Sequence, residues 1–248
     1  MDKTMRIGIL TKNFSKLNHI TRKLKNAEFN LVHLKKLPEL DHEIDVIVSD
    51  TIIEKCLTPH IIPGNLEILE LKIRCAYYQK NQLTIGIDPG GICGLIAAAN
   101  NHLLFQKEFD NVISMTNLIV SIDDEIGIKN IKIGLGSPSI RNLIVSSLEN
   151  YRDKIQFIDE RRSGSGSHIE AAIRIASRTP QLNEPKKYLP KTGEIAWIQK
   201  QSRRLSKGLI TVNKETANRI LLGEISMEKA IRDYTGKLLK SNKQFTKK

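Results

Sequence analysis

An aspartate in a glycine-rich turn is the residue of this chain best placed to do chemistry. The segment from Leu83 to Ala97 has the sequence Leu-Thr-Ile-Gly-Ile-Asp-Pro-Gly-Gly-Ile-Cys-Gly-Leu-Ile-Ala. Its two apolar runs predict buried strands joined by a tight turn, so that Asp88 ends the first strand. A carboxylate beside backbone that glycine leaves open suits a hard cation or a phosphate. The alternative is a structural hairpin in which Asp88 only stabilises the turn.

The elements that must position Asp88 follow in a regular order. Strands predicted at 84–88, 94–99 and 102–108 form three consecutive antiparallel strands, with Asn100-Asn101 as a hairpin turn. Apolar periodicity and capping residues then predict a helix at 112–126, a strand at 131–135, a helix opened by Ser137-Pro138, a strand at 154–158 and a helix at 167–177. The last helix is expected to bury Ile169, Ala172, Ile173 and Ala176.

The turn and this order of elements together resemble the ribonuclease H-like superfamily over residues 83–178. Within it they are similar to the RuvC and YqgF families of Holliday-junction resolvases and nucleases, in which a Gly-Ile-Asp-Pro-Gly turn carries the first metal-binding acid. The resemblance implies an α/β fold with a mixed five-stranded sheet. It also implies Mg²⁺- or Mn²⁺-dependent cleavage of structured or branched nucleic acid, in which converging acids hold the cations.

The same resemblance implies the other acids. RuvC has a glutamate at the end of the fourth strand, and residues 131–138 contain none. Gly134-Leu135-Gly136-Ser137-Pro138 and Ile158-Asp159-Glu160-Arg161 match YqgF better. The second acid is therefore expected at Glu160, with Asp159 as its competitor because successive strand residues face opposite sides. The third is expected at Glu170 on the last helix, where the family has an aspartate.

Other polar residues precede or begin that last helix. His168 is a candidate general base or further metal ligand by resemblance, and a surface or capping histidine is the alternative. Arg161 and Arg162 stand before Gly164-Ser165-Gly166 and a helix N-terminus, a combination that favours phosphate binding. A plain flexible loop explains the same segment.

The N-terminal residues predict a separate small unit. Strands at 5–10, 29–33 and 44–48 and a helix with Leu17, Ile20 and Leu24 on one face indicate a parallel α/β accessory domain over residues 1–62. Its first turn, Thr11 to Ser15, lacks a glycine-rich phosphate fingerprint, and Asp50 alone does not define a nucleotide site. Pro63-Gly64 marks a break, and residues 63–82 are predicted to hold a connecting helix.

The C-terminal residues are strongly basic. Residues 179–248 contain 16 Lys and Arg against six Asp and Glu, whereas residues 81–178 contain 10 against 11. Such an arm indicates a nucleic-acid partner, with solubility as the alternative. After a proline-containing linker, three short helices near 193–206, 213–223 and 226–239 permit a helix-turn-helix-like module. Besides Arg161 and Arg162, the predicted nucleic-acid contacts are Lys200, Arg203, Arg204 and Lys207.

Composition excludes several classes. No run of about 18 apolar residues exists and the N-terminus is charged, so we expect a cytoplasmic protein with no membrane partner. Cys56, Cys75 and Cys93 are odd in number and far apart, which predicts neither a disulfide framework nor a zinc site.

Three function classes follow from the sequence. The first is a metal-dependent nuclease, and the resemblance leaves a homodimer open because resolvases dimerise. The second is a catalytically inactive ribonuclease H-like scaffold that binds nucleic acid or associates with ribosomes. The third takes Asp88-Pro89-Gly90-Gly91 as the first phosphate loop of an actin- or sugar-kinase-like ATPase, but the residues after 130 contain no convincing second phosphate loop.

Overall fold

A computed structural model describes residues 4–36, 43–54, 56–100, 102–159, 166–180 and 188–245, of which 237–245 are described by their backbone alone. The chain divides into two compact units. The first unit contains residues 1–84, 97–106 and 117–129, and the second contains 85–96, 107–116 and 130–248.

The N-terminal residues form a four-stranded parallel sheet in the order β2-β1-β3-β4. This confirms the predicted parallel α/β unit. Asn13 caps the first helix by accepting a hydrogen bond from the Lys16 N–H at 3.1 Å, which explains why the helix begins there. The elements are β1 (Met5–Leu10), α1 (Phe14–Leu24), β2 (Phe29–Leu34), β3 (Val46–Ser49) and β4 (His60–Ile61).

The two faces of this sheet are covered differently. On one face Ile7 and Val46 pack with the buried Ile20 of α1 and with a second helix, α2 (Leu69–Tyr77). On the other face Ile47 of β3 packs with Ile44 and Ile53. Side chains alternate along each strand, so both faces carry apolar residues and both need a cover. The chain that leaves β1 therefore turns to one face, and the chain that leaves β3 turns to the other.

The second sheet has five strands in the order β7-β6-β5-β8-β9 and is mixed, with β8 and β9 parallel. Every element predicted between 84 and 177 is present with its ends shifted by a few residues. The central strand is β5, and Asp88 is its last residue. The elements are β5 (Leu83–Asp88), β6 (Cys93–Ala99), β7 (His102–Phe109), α3 (Val112–Glu125), β8 (Ile128–Gly134), α4 (Pro138–Ser147), β9 (Ile155–Ile158) and α5 (His168–Ser177).

The predicted buried face of α5 is wrong at Ile173, and of the other three predicted residues Ala172 is buried while Ile169 and Ala176 are half-buried. Ile173 is 38% exposed, whereas Ile175 is buried beside Ala172. Ala172 and Ala176 lie against Gly86 of β5, where the absence of a side chain lets the helix backbone come close. The face of α5 that is buried is therefore rotated from the predicted stripe toward Ile175.

The C-terminal residues form three helices, α6 (Thr192–Leu205), α7 (Lys214–Leu221) and α8 (Met227–Phe245). Asn213 and Ser226 accept backbone hydrogen bonds as caps of α7 and α8, as predicted. Gly223 has φ of 77°, a left-handed conformation that ends α7. The helix α8 continues beyond the predicted end at 239. Buried apolar residues join the three helices: Ile198, Ala217, Ile220, Leu221 and Ala230.

Two further predictions concern the cysteines and the membrane. Cys56, Cys75 and Cys93 are free thiols. Within the residues that the structure describes, no helix is both long enough and apolar enough to cross a membrane.

Candidate functional site

Asp88 is paired with a histidine at the end of the central strand. The His168 Nδ1 donates to Asp88 Oδ2 at 3.0 Å, and the two side chains are 44% and 14% exposed, respectively. Ser167 caps α5, so His168 occupies the first position of the helix and its ring lies beside the end of β5. The structure thus brings together two residues that are 80 positions apart in the sequence.

Two glycines let α5 approach the sheet closely enough to make this pair. A Cβ placed on Gly86 would lie 2.5 Å from the carbonyl oxygen of Ala172, and one on Gly94 would overlap the carbonyl of His168. Any side chain at either position would push the helix away. These glycines therefore serve the packing of α5 and leave no approach for a ligand.

The far end of α5 is held as well. Lys132 of β8 donates from Nζ to the carbonyl oxygens of Ala176 and Arg178, each at 2.7 Å. Burial lowers the pKa of this lysine. Lys132 is not among the residues predicted from the sequence, although a charged residue between Ile131 and Ile133 of a buried strand indicates a special role.

The turn after Asp88 does offer open backbone. A Cβ on Gly91 would meet no atom within 4 Å. The Cys93 thiol donates to the Gly90 carbonyl at 3.5 Å, and burial raises the pKa of that thiol. Gly91 is consequently the point of this turn that a ligand could approach.

Glu170 is engaged within its own helix. Its Oε2 accepts from the Ser167 N–H at 3.2 Å, and the Ser167 hydroxyl accepts from the Glu170 N–H at 3.2 Å. This reciprocal arrangement is a capping box. The carboxylate that was predicted to be the third metal ligand therefore stabilises the start of α5 here.

Of the predicted acids and cations at positions 159–162, only Asp159, which follows β9, is among the described residues. The backbone carbonyl of Asp159 accepts from an Arg178 guanidinium nitrogen at 2.6 Å, and Asp159 is half-buried. Glu160, Arg161 and Arg162 fall outside the described residues.

The described side chains do not match a Mg²⁺ or Mn²⁺ centre. Across the described ranges, no group of three or more His, Cys, Asp or Glu residues could hold a metal ion. Asp88 and His168 provide one carboxylate and one imidazole, whereas Mg²⁺ requires a near-octahedral shell of oxygen ligands.

The predicted nucleic-acid contacts of α6 form a single exposed face. Lys200, Arg203 and Arg204 are exposed on the side of the helix opposite the buried Ile198 and Ser202. Lys207, also exposed, follows the helix. Arg204 lies 3.7 Å from Asp110, a pair in which both side chains are more than half exposed and which stabilises little. The other three cations have no ion-pair partner among the residues that the structure describes. We call these four residues the basic face.

The helix that carries the basic face runs beside the turn after Asp88. Trp197 and Gln201 of α6 line a cleft of about 40 Å³ together with Gly90 and Gly91. The cleft has room for one or two waters and no larger ligand. Its walls nevertheless place α6 next to the open backbone at Gly91.

Comparison with known proteins assigns only the C-terminal helices. A family model described as a three helical bundle domain matches residues 191–235, which include α6, α7 and the start of α8. No curated protein and no solved structure matches the chain. The match agrees with the three packed helices seen here and assigns no family to the residues before them.

Proposed function

We propose that this protein binds nucleic acid, with the basic face of α6 contacting phosphates beside the Asp88 turn of a ribonuclease H-like domain. The observation that carries the proposal is the basic face itself. Three of its four cations have no acidic partner in the described part of the chain, so they are available to a polyanion. Each phosphate contact releases condensed counterions, which makes such binding favourable and dependent on salt.

The order of elements supports the ribonuclease H-like part of this proposal. Three strands are followed by a helix, a strand, a helix, a strand and a helix, in agreement with the order on which the resemblance rests. Asp88 ends the central strand of the sheet, where neighbouring strands lie on both sides. The homodimer stays a prediction.

The proposal is tested by removing the basic face. A four-way DNA junction and a stem-loop RNA would be titrated with the full chain by fluorescence anisotropy at several salt concentrations. The test variant combines Lys200→Gln, Arg203→Gln and Arg204→Gln. The control removes the same charge from exposed residues elsewhere and combines Lys25→Gln, Lys36→Gln and Lys129→Gln.

The test variant should bind at least about 10-fold more weakly than wild type near 0.1 M salt, and its slope of log affinity against log salt should fall by about 3. The control should change affinity by less than about 2-fold, because non-contacting charges act only through the long-range field. Equal losses in both variants, or no binding by wild type, would overturn the proposal.

A second candidate is a nuclease, and the pairing of Asp88 with His168 favours it. A carboxylate that accepts from Nδ1 fixes the neutral ring in the tautomer whose Nε2 is free to accept a proton. His168 is half-exposed, so a substrate or a water can reach that nitrogen. General-base action on a water is the chemistry that this pair can perform.

Cleavage assays separate the two candidates. The junction DNA and the RNA would be incubated with Mn²⁺ and wild type, Asp88→Asn or His168→Gln. For a nuclease, cleavage by wild type is lost in Asp88→Asn while binding is retained. Binding without cleavage by wild type would rule out the nuclease for these substrates and favour the scaffold.

A further inference from the structure

A second possible site lies in the N-terminal unit, at the carboxyl ends of its parallel strands. Leu10 of β1 is level with Leu34 of β2 and with Ser49 of β3 in the sheet register. The residues just after these three ends line a cavity of about 620 Å³. Cavities of about 300–1,000 Å³ are the usual size of small-molecule sites.

The topology of the sheet explains why a cavity forms there. The chain leaving β1 turns to the face covered by α1, whereas the chain leaving β3 turns to the face where Ile53 is buried. β1 and β3 are neighbours in the sheet, so their departing segments separate and leave a crevice between them. In open parallel sheets, such a switch point is where ligands bind.

The floor of the cavity is held by a polar network. Asp50 accepts hydrogen bonds from the Thr11 hydroxyl and from Lys16 Nζ, the latter at 3.0 Å. The imidazole Nε2 of His33 is 3.1 Å from the Thr11 carbonyl oxygen, to which it donates. These contacts join the ends of β1, β2 and β3. The charge of Asp50 is balanced by Lys16, so the floor does not repel an anion.

Two cations at the rim of the cavity are free to bind an anion. Lys12 follows the end of β1 and Lys35 follows the end of β2, and both side chains line the cavity and are exposed. Neither has a hydrogen-bond or ion-pair partner among the residues with described positions. Two ammonium groups beside one cavity favour a doubly charged anion such as a phosphate monoester.

The walls are apolar and include an exposed ring. Phe14 is 75% exposed at the cavity, and Leu17 and Leu34 complete this side. An exposed phenylalanine beside a cavity offers a face on which a planar aromatic group can stack. The cavity thus combines a platform for a ring with a charge for a phosphate.

We infer that this cavity binds a nucleoside monophosphate, with the base on Phe14 and the phosphate between Lys12 and Lys35. The inference is independent of nucleic-acid binding by the basic face. The absence of a glycine-rich loop means that the lysine side chains, rather than backbone N–H groups, supply the charge for the phosphate.

The experiment is isothermal titration calorimetry of the full chain with AMP, GMP, CMP and UMP, with the four corresponding nucleosides and with inorganic phosphate. At least one nucleoside monophosphate should bind about 10-fold or more tightly than its nucleoside and than phosphate, because only it engages both the ring and the cations. Phe14→Ala should weaken that binding at least about 5-fold, the lower limit for a lost stacking contact. The double variant of Lys12→Gln and Lys35→Gln should weaken it about 10-fold or more.

Two controls make the test specific. Lys25→Gln removes an exposed lysine of the same unit outside the cavity, and the triple variant of the basic face removes charge from α6. Both should bind the nucleotide like wild type. Absence of binding by all four nucleotides at about 1 mM, or unchanged binding by Phe14→Ala and by the lysine double variant, would overturn the inference.

Discussion

Two aspartates end strands in this protein, and their partners differ. Asp50 accepts from the Thr11 hydroxyl and the Lys16 ammonium group, whereas Asp88 accepts from the imidazole of His168. Thr11 is buried, so the Asp50 contacts belong to the framework of the sheet. The ring of His168 is 44% exposed, so a ligand or water can reach the partner of Asp88.

The two carboxylates also differ in how much open space lies next to them. A cavity of about 620 Å³ lies against Asp50. Around Asp88, the helix α5 fills the space that Gly86 and Gly94 leave open. The first arrangement suits a small ligand held inside the fold, and the second suits a large one that contacts the surface.

The largest expected effect comes from filling the space under α5. Gly86→Ala should lower the free energy of unfolding by about 3 kcal/mol, because the new methyl group meets the backbone carbonyl of Ala172 and the helix must move. Gly91→Ala is the matched control and should be nearly neutral, since its Cβ enters open space. Urea unfolding measures both. Equal stability of the two variants would show that α5 is not held close to β5.

The substitution Thr11→Val tests the framework role of Asp50. Thr11 is buried, and its hydroxyl donates to Asp50 and accepts from the Asn13 N–H at 3.0 Å. Losing both hydrogen bonds should cost about 2 kcal/mol of unfolding free energy. Thr51→Val changes an exposed threonine nearby and should cost less than about 0.5 kcal/mol. A similar loss in both variants, measured by urea unfolding, would contradict the role given to Thr11.

The dependence of stability on pH should show the effect of the same contacts on Asp50. The Thr11 hydroxyl, and then Lys16, lower the pKa of Asp50 below its ordinary value of 3.8 against the opposing effect of burial. A lowered pKa in the folded state stabilises the protein above the unfolded pKa, and this contribution is lost as pH falls through the folded pKa.

Wild type should therefore lose more stability than Asp50→Asn as the pH falls from about 5 to about 3, and the difference should be small because the group is partly exposed. Unfolding by urea at a series of pH values gives this difference directly. Parallel curves for the two proteins would mean that Asp50 has the same pKa folded and unfolded.

The smallest effect is expected for the partner of Asp88. His168→Gln should change the free energy of unfolding by about 0.5 kcal/mol, because the pair is partly exposed and water replaces the lost contact. His19→Gln, an exposed histidine of α1, is the control and should change nothing measurable. A loss above about 2 kcal/mol for His168→Gln would show that the pair is a structural element and cannot be released by a ligand.

The strands and helices were predictable because their apolar patterns are local. The runs on both sides of Asp88 and the caps Asn13, Asn213 and Ser226 determine where elements begin. Sheet order depends on packing between distant segments, which no local pattern contains. The buried face of α5 was misplaced for that reason, since Gly86 on another element decides which side of the helix packs.

The candidate site was predictable only in part. Asp88 and His168 were both chosen as candidates, but their direct contact was not foreseen. The role of Glu170 could have been predicted from the sequence, because a serine followed three residues later by a glutamate, as in Ser167 and Glu170, is the signature of a capping box. The cavity beside Asp50 was also missed. A search for glycine-rich turns does not find a site whose charge comes from Lys12 and Lys35.

The attachment of α5 at both ends limits how the site beside Asp88 can rearrange. Lys132 fixes the last carbonyls of the helix, and the two glycines keep its first turns on the sheet. The helix cannot slide along the sheet without breaking these contacts, but the half-exposed ring of His168 can rotate about its own side-chain bonds. Exchange of the imidazole at Asp88 for another hydrogen-bond donor thus needs a rotamer change in one residue, and the backbone stays in place.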